Sequence, residues 1–142
     1  MPIHYAILPE LDLLLYIFKG EFSATDYFHM YETVYLDARR HHGMKILMDL
    51  RHGILDYDAE DFKAAVEIVR ANHEQGFVPD HVALVTLSSS MKHLTDAIIL
   101  LADELPMYLA LFHNQHDAIR WLGLSANEAD VTQFWQTAAR NG

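Results

Sequence analysis

Between Leu11 and Phe18 the chain reads Leu-Asp-Leu-Leu-Leu-Tyr-Ile-Phe. As a strand, this run is apolar on both faces. Leu11, Leu13, Leu15 and Ile17 fall on one side, and Leu14, Tyr16 and Phe18 on the other. A strand that needs cover on two faces belongs inside a sheet with layers packed above and below it. The run is too short to cross a membrane, which takes roughly 18–20 apolar residues. Asp12 interrupts it and Lys19 ends it.

The rest of the chain supplies those layers. Ile3–Leu8 reads as a short strand joined to Leu11–Phe18 by a tight turn at Pro9-Glu10, which makes an antiparallel hairpin. Gly20-Glu21 breaks the second strand. Ser23 with Asp26 three residues later opens a helix, whose stripe is Ala24, Tyr27, Phe28, Tyr31, Val34, Tyr35 and Ala38, and Gly43 ends it. Lys45–Leu50 is a strand and Arg51–Tyr57 a loop. Asp58 then caps a helix with the stripe Phe62, Ala65, Val66, Val69 and His73. His81–Leu87 is a strand, Ser88-Ser89-Ser90 a turn, and Met91–Leu105 a helix. Met107–Phe112 is the last strand. Asn114 with Asp117 opens a short helix, and Asn127 with Asp130 a final one bearing Val131, Phe134, Trp135 and Ala138. Strands that alternate with helices make an α/β fold with a mixed five-stranded sheet and right-handed crossovers.

The chain has 142 residues, enough for one domain, and no internal repeat or linker divides it. Half is apolar (51%) and 21% is charged, which excludes disorder and low-complexity scaffolds. The N-terminus shows no basic, cleavable apolar stretch, so no signal peptide is expected. The absence of cysteine removes disulfides and thiolate chemistry and fits a cytoplasmic protein. Ten Lys and Arg against twenty Asp and Glu give −10, and Arg39-Arg40 is the lone basic pair, so nucleic acid is not an expected partner. Ten histidines, if all protonated, would bring −10 + 10 to zero.

Strand, strand, helix, strand, helix, strand, helix, strand, helix is also the order of the STAS domain, named for sulfate transporters and anti-sigma-factor antagonists. Lys45–Arg51 (KILMDLR) resembles the family's third strand. His81–Leu87 with Ser90-Met91-Lys92-His93-Leu94 resembles its fourth strand, polar turn and helix. Tyr108–Phe112 resembles its last strand, and Asp117–Gly123 (DAIRWLG) its closing helix. The resemblance spans about residues 3–123 and is nearest to the stand-alone bacterial stage II sporulation protein AA-like (STAS/SEC14-like) proteins. It implies four family helices, with the helix at about 127–140 an addition. In anti-sigma-factor antagonists, Asp-Ser-Ser/Thr-Gly opens the helix after the third strand, and a partner kinase phosphorylates a serine there. Here that stretch is Asp56-Tyr57-Asp58-Ala59-Glu60-Asp61, with no hydroxyl of Ser or Thr in any register. A carboxylate at Glu60 carries less charge than the −1.5 to −2 or so of phosphoserine. The resemblance therefore implies protein binding without the serine switch.

Asp49, Arg51 and His52 lie at or just past the end of a strand, where open α/β sheets take their ligands. Ser88, Ser89 and Ser90 lie just past the next strand, before a helix N-terminus that suits an anion. The plainer reading makes Asp58 and Ser90 helix caps and pairs Arg51 with a nearby acid. Ser90 and His93 do not form a hydrolase pair, since no G-x-S-x-G elbow frames a serine. His41-His42 and His113/His116 lack the convergence a metal needs, and there is no H-E-x-x-H, G-x-G-x-x-G or Walker lysine motif. His73 continues an apolar stripe and reads as a partly buried, satisfied histidine.

The Met91–Leu105 helix carries an apolar excess. Met91, Leu94, Ile98, Leu101, Ala102 and Leu105 make one stripe, but Ile99 and Leu100 lie off it. A homodimer interface, a lipid or small-ligand pocket, and cover for the C-terminal helix each account for them. Trp135 is a further large apolar group of the same self-association surface. Together these features point to a non-catalytic, cofactor-free, cytoplasmic protein-binding module that self-associates. Its partner surface would comprise Asp49, Arg51, His52, Tyr57, Asp58, Glu60 and Ser88–Ser90. The alternative is a carrier of a small apolar or anionic ligand at the C-terminal edge of the sheet.

Overall fold

The computed structural model describes residues 2–41, 43–56, 59–74, 81–87 and 108–141. Five strands join in one sheet in chain order: β1 (Ile3–Leu8), β2 (Leu13–Ser23), β3 (Lys45–Asp56), β4 (His81–Val85) and β5 (Tyr108–Phe112). β1 runs antiparallel to β2, and every later pair is parallel, so the sheet is mixed as expected. The turn between β1 and β2 is a short 3-10 segment, Pro9–Leu11, after which Asp12 takes a left-handed conformation (φ 51). Aspartate tolerates that region better than most side chains because it can bond locally.

Every residue from Leu13 to Phe18 is buried, which is what two apolar faces require. Leu14, Tyr16, Phe18, Ile46, Leu50, Val82 and Leu84 gather on one face with Met30 and Val34 of helix α1 (Ala24–Tyr35). Leu13, Leu15, Ile17, Leu47, Ala83 and Val85 gather on the other. There they pack against Ala118 and Ile119 of α3 (Gln115–Trp121) and Val131 and Trp135 of α4 (Glu128–Asn141). α2 (Ala59–Glu74) follows β3. The stripe side chains Phe62, Ala65, Val66, Val69 and His73 lie outside the described residues, as does the helix expected at 91–105.

The caps read at Ser23 and Asn114 are formed, while Asp58 and Ser90 lie outside the described residues. Ser23 Oγ accepts the Asp26 backbone N–H (3.2 Å), and Asp26 Oδ2 accepts that of Ser23 (2.9 Å). Asn114 Oδ1 accepts the Asp117 N–H at 2.8 Å. α1 stops at Tyr35, short of the expected Ala38, which is exposed. Local bonds win there. Asp37 accepts the backbone N–H and guanidinium of Arg39 and the hydroxyl of Tyr5 (2.8 Å), so the chain turns instead of continuing the helix.

Two expected boundaries are corrected. Gly20-Glu21 does not end β2, and residues 51–56 are strand, not loop. β2 and β3 stay paired from Lys19↔His52 to Ser23↔Asp56, with Gly20 at φ 74. β1 reaches only to Phe18, and β4 only to Asp49, so β2 and β3 continue past both neighbours as a two-stranded parallel ribbon.

Candidate functional site

The ribbon begins at a bulge. Ile17 pairs with Asp49 and Lys19 with His52, so Leu50 and Arg51 together oppose Phe18. The extra residue shifts the alternation of β3 by one position, which is how a bulge re-aims side chains. Up to Leu50, even-numbered residues face the α1 side; beyond the bulge Gly53 does. A Cβ on Gly53 would lie 2.9 Å from Phe18 Cβ and 3.0 Å from Phe22 Cε1, so the ribbon's α1-side face is closed by aromatic rings.

On the opposite face sits Asp49, only 3% exposed. Its carboxylate accepts four hydrogen bonds: from Arg51 Nε (2.9 Å), Arg51 Nη2 (2.9 Å), the Arg51 backbone N–H (3.2 Å) and Trp135 Nε1 (3.0 Å). The Arg51 guanidinium also lies over the Trp135 ring, 5.5 Å from its centroid. Burial pushes the Asp49 carboxyl up, but the hydrogen bonds and charge of Arg51, with the indole N–H, pull it down further. It stays below the usual carboxylate value and remains charged. A bidentate pair satisfied on every side is a structural joint. One residue-turn away, Lys19 Nζ donates to the Ala139 carbonyl in the last turn of α4. α4 is thus fastened to the bulge at its middle and to the ribbon near its end.

Those contacts place two of the expected surface residues inside the fold. Asp49, expected on a partner or ligand surface, is enclosed by Arg51 and Trp135. Trp135, expected in self-association, is 1% exposed and packs against the sheet. The pairing of Arg51 with a nearby acid is the plainer of the two expectations; the bond from Trp135, 86 positions from Asp49, is what the sequence did not reveal. Its signal was present: an acid within Lys-Ile-Leu-Met-Asp-Leu, on the buried face of a strand, must find a donor.

His52, Ile54 and Glu21 are exposed on the ribbon, and Glu60 is exposed in the first turn of α2, with Lys63 Nζ 3.7 Å away. Tyr57, Asp58, Ser88, Ser89, Ser90, Ile99 and Leu100 lie outside the described residues. Among the described residues no group of three His or acidic side chains converges to hold a metal, and no helix is long and apolar enough to cross a membrane.

No family model matches the chain, and no curated protein matches it. Among solved structures it is similar to an uncharacterized protein of the DUF3478 family, with a SpoIIAA-like fold, from Shewanella loihica PV-4. The two share 19% identity over 84% of this chain and 93% of that one, with a TM-score of 0.57. At that identity the likeness speaks for architecture alone, and together with the mixed sheet and its flanking helices it gives the conclusion that the chain has a STAS/SpoIIAA-like fold.

Proposed function

We propose that the chain is a non-catalytic, regulatory protein-binding module that works without a serine phosphorylation switch. The observation that carries this reading is the β2–β3 ribbon. It extends past the rest of the sheet, exposes His52, Ile54 and Glu21, and leads into the acidic first turn of α2 at Glu60 and Asp61. The strongly polar pair at its base, Asp49 with Arg51, is committed to holding α4 and offers no unsatisfied group for chemistry. Residues 56–61 hold no Ser or Thr, so the chain's affinity for a partner is fixed by its carboxylates instead of by a kinase. The cysteine-free composition supports a cytoplasmic setting.

A photocrosslinking amino acid placed at Glu60 tests this in cells. A discrete polypeptide adduct, lost when Ile54→Asp is added, supports the reading. Absence of any adduct, with a metabolite retained through gentle purification and seen by native mass spectrometry, would replace it with the small-ligand carrier. Self-association belongs to the same proposal and rests on the apolar excess at Ile99 and Leu100. Sedimentation of wild type as a dimer, and of Leu100→Glu as a folded monomer, would support it.

A further inference from the structure

The sheet has two edges, and they are built differently. β1, at one side, is framed by Pro2 and Pro9 and carries His4 among its apolar residues. Proline and polar side chains at an edge discourage further strands from pairing there. β5, at the other side, reads Tyr-Leu-Ala-Leu-Phe, with no charge, no proline and no bulge. Four of the five residues of its neighbour β4 are buried, but none of β5's is, and Tyr108 is 67% exposed. Among the described residues, β4 is the one strand paired with β5. The main chain shows which groups the open side presents. The Phe112 carbonyl accepts the Thr86 N–H at 2.9 Å, so Phe112, and with it Ala110 and Tyr108, turn their backbone groups toward β4. Leu109 and Leu111, in alternation, turn theirs outward.

We propose that β5 is a homodimer seam: it pairs antiparallel with β5 of a second copy about a two-fold axis at Ala110, which joins the two sheets edge to edge. This rests on the self-association reading and adds where the copies meet. Self-complementarity decides the occupant. A two-fold contact needs each residue to suit its counterpart read in the opposite direction. β5 does, since aromatic, leucine, alanine, leucine, aromatic is the same pattern both ways. Leu109 and Leu111 of one copy then exchange main-chain hydrogen bonds with Leu111 and Leu109 of the other, and these are the positions whose N–H and C=O groups turn outward. Ala110 meets the second copy's alanine at the axis, in a pair without hydrogen bonds, where opposite side chains lie closest. Tyr108 meets a phenylalanine in a pair of the same kind. A small residue suits the axis, and an aromatic pair suits its flanks. Both rings are already held in place: His81 stacks on Tyr108 at 5.0 Å, and Trp121 lies 5.6 Å from Phe112. The strand holds no charged residue, so no like charges stand opposite each other along the seam, despite the −10 of the chain. Five residues make a small interface, so association is expected at about micromolar concentration and above.

The chain has no cysteine, so one placed at the axis reports without ambiguity. Opposite Cα atoms in a pair without hydrogen bonds lie about 4.5 Å apart, within disulfide reach. With oxidised glutathione, Ala110→Cys should therefore form a covalent dimer about tenfold faster, or more, than Leu36→Cys. The wild-type side chain at position 36 is 80% exposed, so access alone would favour the control. Sedimentation gives a second readout. Ala110→Asp and Ala110→Lys should each weaken the dimer about tenfold, and mixing the two should restore it, because opposite charges then meet at the axis. A strand that is merely destabilised is not rescued by mixing. Equal crosslinking rates would overturn the seam, and so would folded charge variants whose mixture associates no better than either alone. If a charge variant fails to fold, the crosslinking rates decide. A wild-type dimer split by Leu100→Glu, with Ala110→Cys no faster than Leu36→Cys, would discard the seam and keep self-association. A monomer throughout, with no preferential crosslink, would discard both and leave protein binding to the adduct at Glu60.

Discussion

Asp49 shows how one side chain changes meaning when its surroundings are known. In sequence it ends a strand and resembles a ligand-edge carboxylate; in the fold it is the acceptor that locks Arg51 and Trp135 together. Removing its charge leaves a guanidinium that is 24% exposed and has lost its partner. Breaking a buried pair from one side is costly, so Asp49→Asn should lose about 3 kcal/mol in urea unfolding. Trp135→Phe removes one bond to a charged acceptor and should cost about 2 kcal/mol. Acid should act through the same group. The folded carboxyl titrates below its ordinary value of 3.8, so the unfolded chain holds more protons between the two values and acid favours unfolding. The joint's contribution is complete above that ordinary value and is lost as pH falls through the folded one. Asp49→Asn should therefore flatten the acid limb of the stability curve. An unchanged limb would show that other carboxylates, Asp37 with Arg39 and Tyr5 among them, carry it instead.

At the scale of elements, the five strands and the antiparallel hairpin of the first two were legible because apolar patterning and turns are written locally. So were the caps at Ser23 and Asn114, whose partners lie three residues on. Arg51-His52-Gly53 resembled a loop for a physical reason. The bulge breaks the alternation, a glycine follows, and the pairing that makes residues 51–56 a strand comes from a segment about thirty positions earlier. The bond from Trp135 to Asp49 was hidden by the same kind of distance, whereas the pairing of Arg51 with an acid two residues away was not. Gly53 is the residue that lets the ribbon close. Gly53→Ala would force a Cβ against Phe18 Cβ, which cannot swing away, and should cost about 1–3 kcal/mol as overpacking. Gly20 has open space around it, so Gly20→Ala should cost only the roughly 1–2 kcal/mol of a left-handed backbone. A Gly53→Ala loss below about 1 kcal/mol would argue that the ribbon's packing is looser than the geometry requires. α4 offers a separate check. Lys19→Met removes the donor at the Ala139 carbonyl, and hydrogen exchange should quicken in residues 137–141 while Val131 and Trp135 stay protected.

For the molecule as a whole, a likeness at 19% identity keeps the burial pattern and little else, so the fold says nothing by itself about a serine switch or a partner. What does act globally is charge. The chain carries −10 with ten neutral histidines and has a sequence pI of about 5.3. Ten histidines stand against the ten excess negative charges, and histidine is the side-chain type that responds to pH in this range. Each proton removes part of the repulsion that keeps copies apart. Two carboxylates resist the trend. Asp37 is held low by Arg39 and the Tyr5 hydroxyl, and Asp49 by Arg51 and Trp135, so both stay negative well into acid. Solubility should therefore pass through a minimum at or just below the sequence pI of 5.3 and recover on either side. Added salt should blunt the recovery on the alkaline arm by screening the restored charge. A curve that stays flat between about pH 5 and 8 would show that self-repulsion does not govern solubility over that range and would overturn the charge argument.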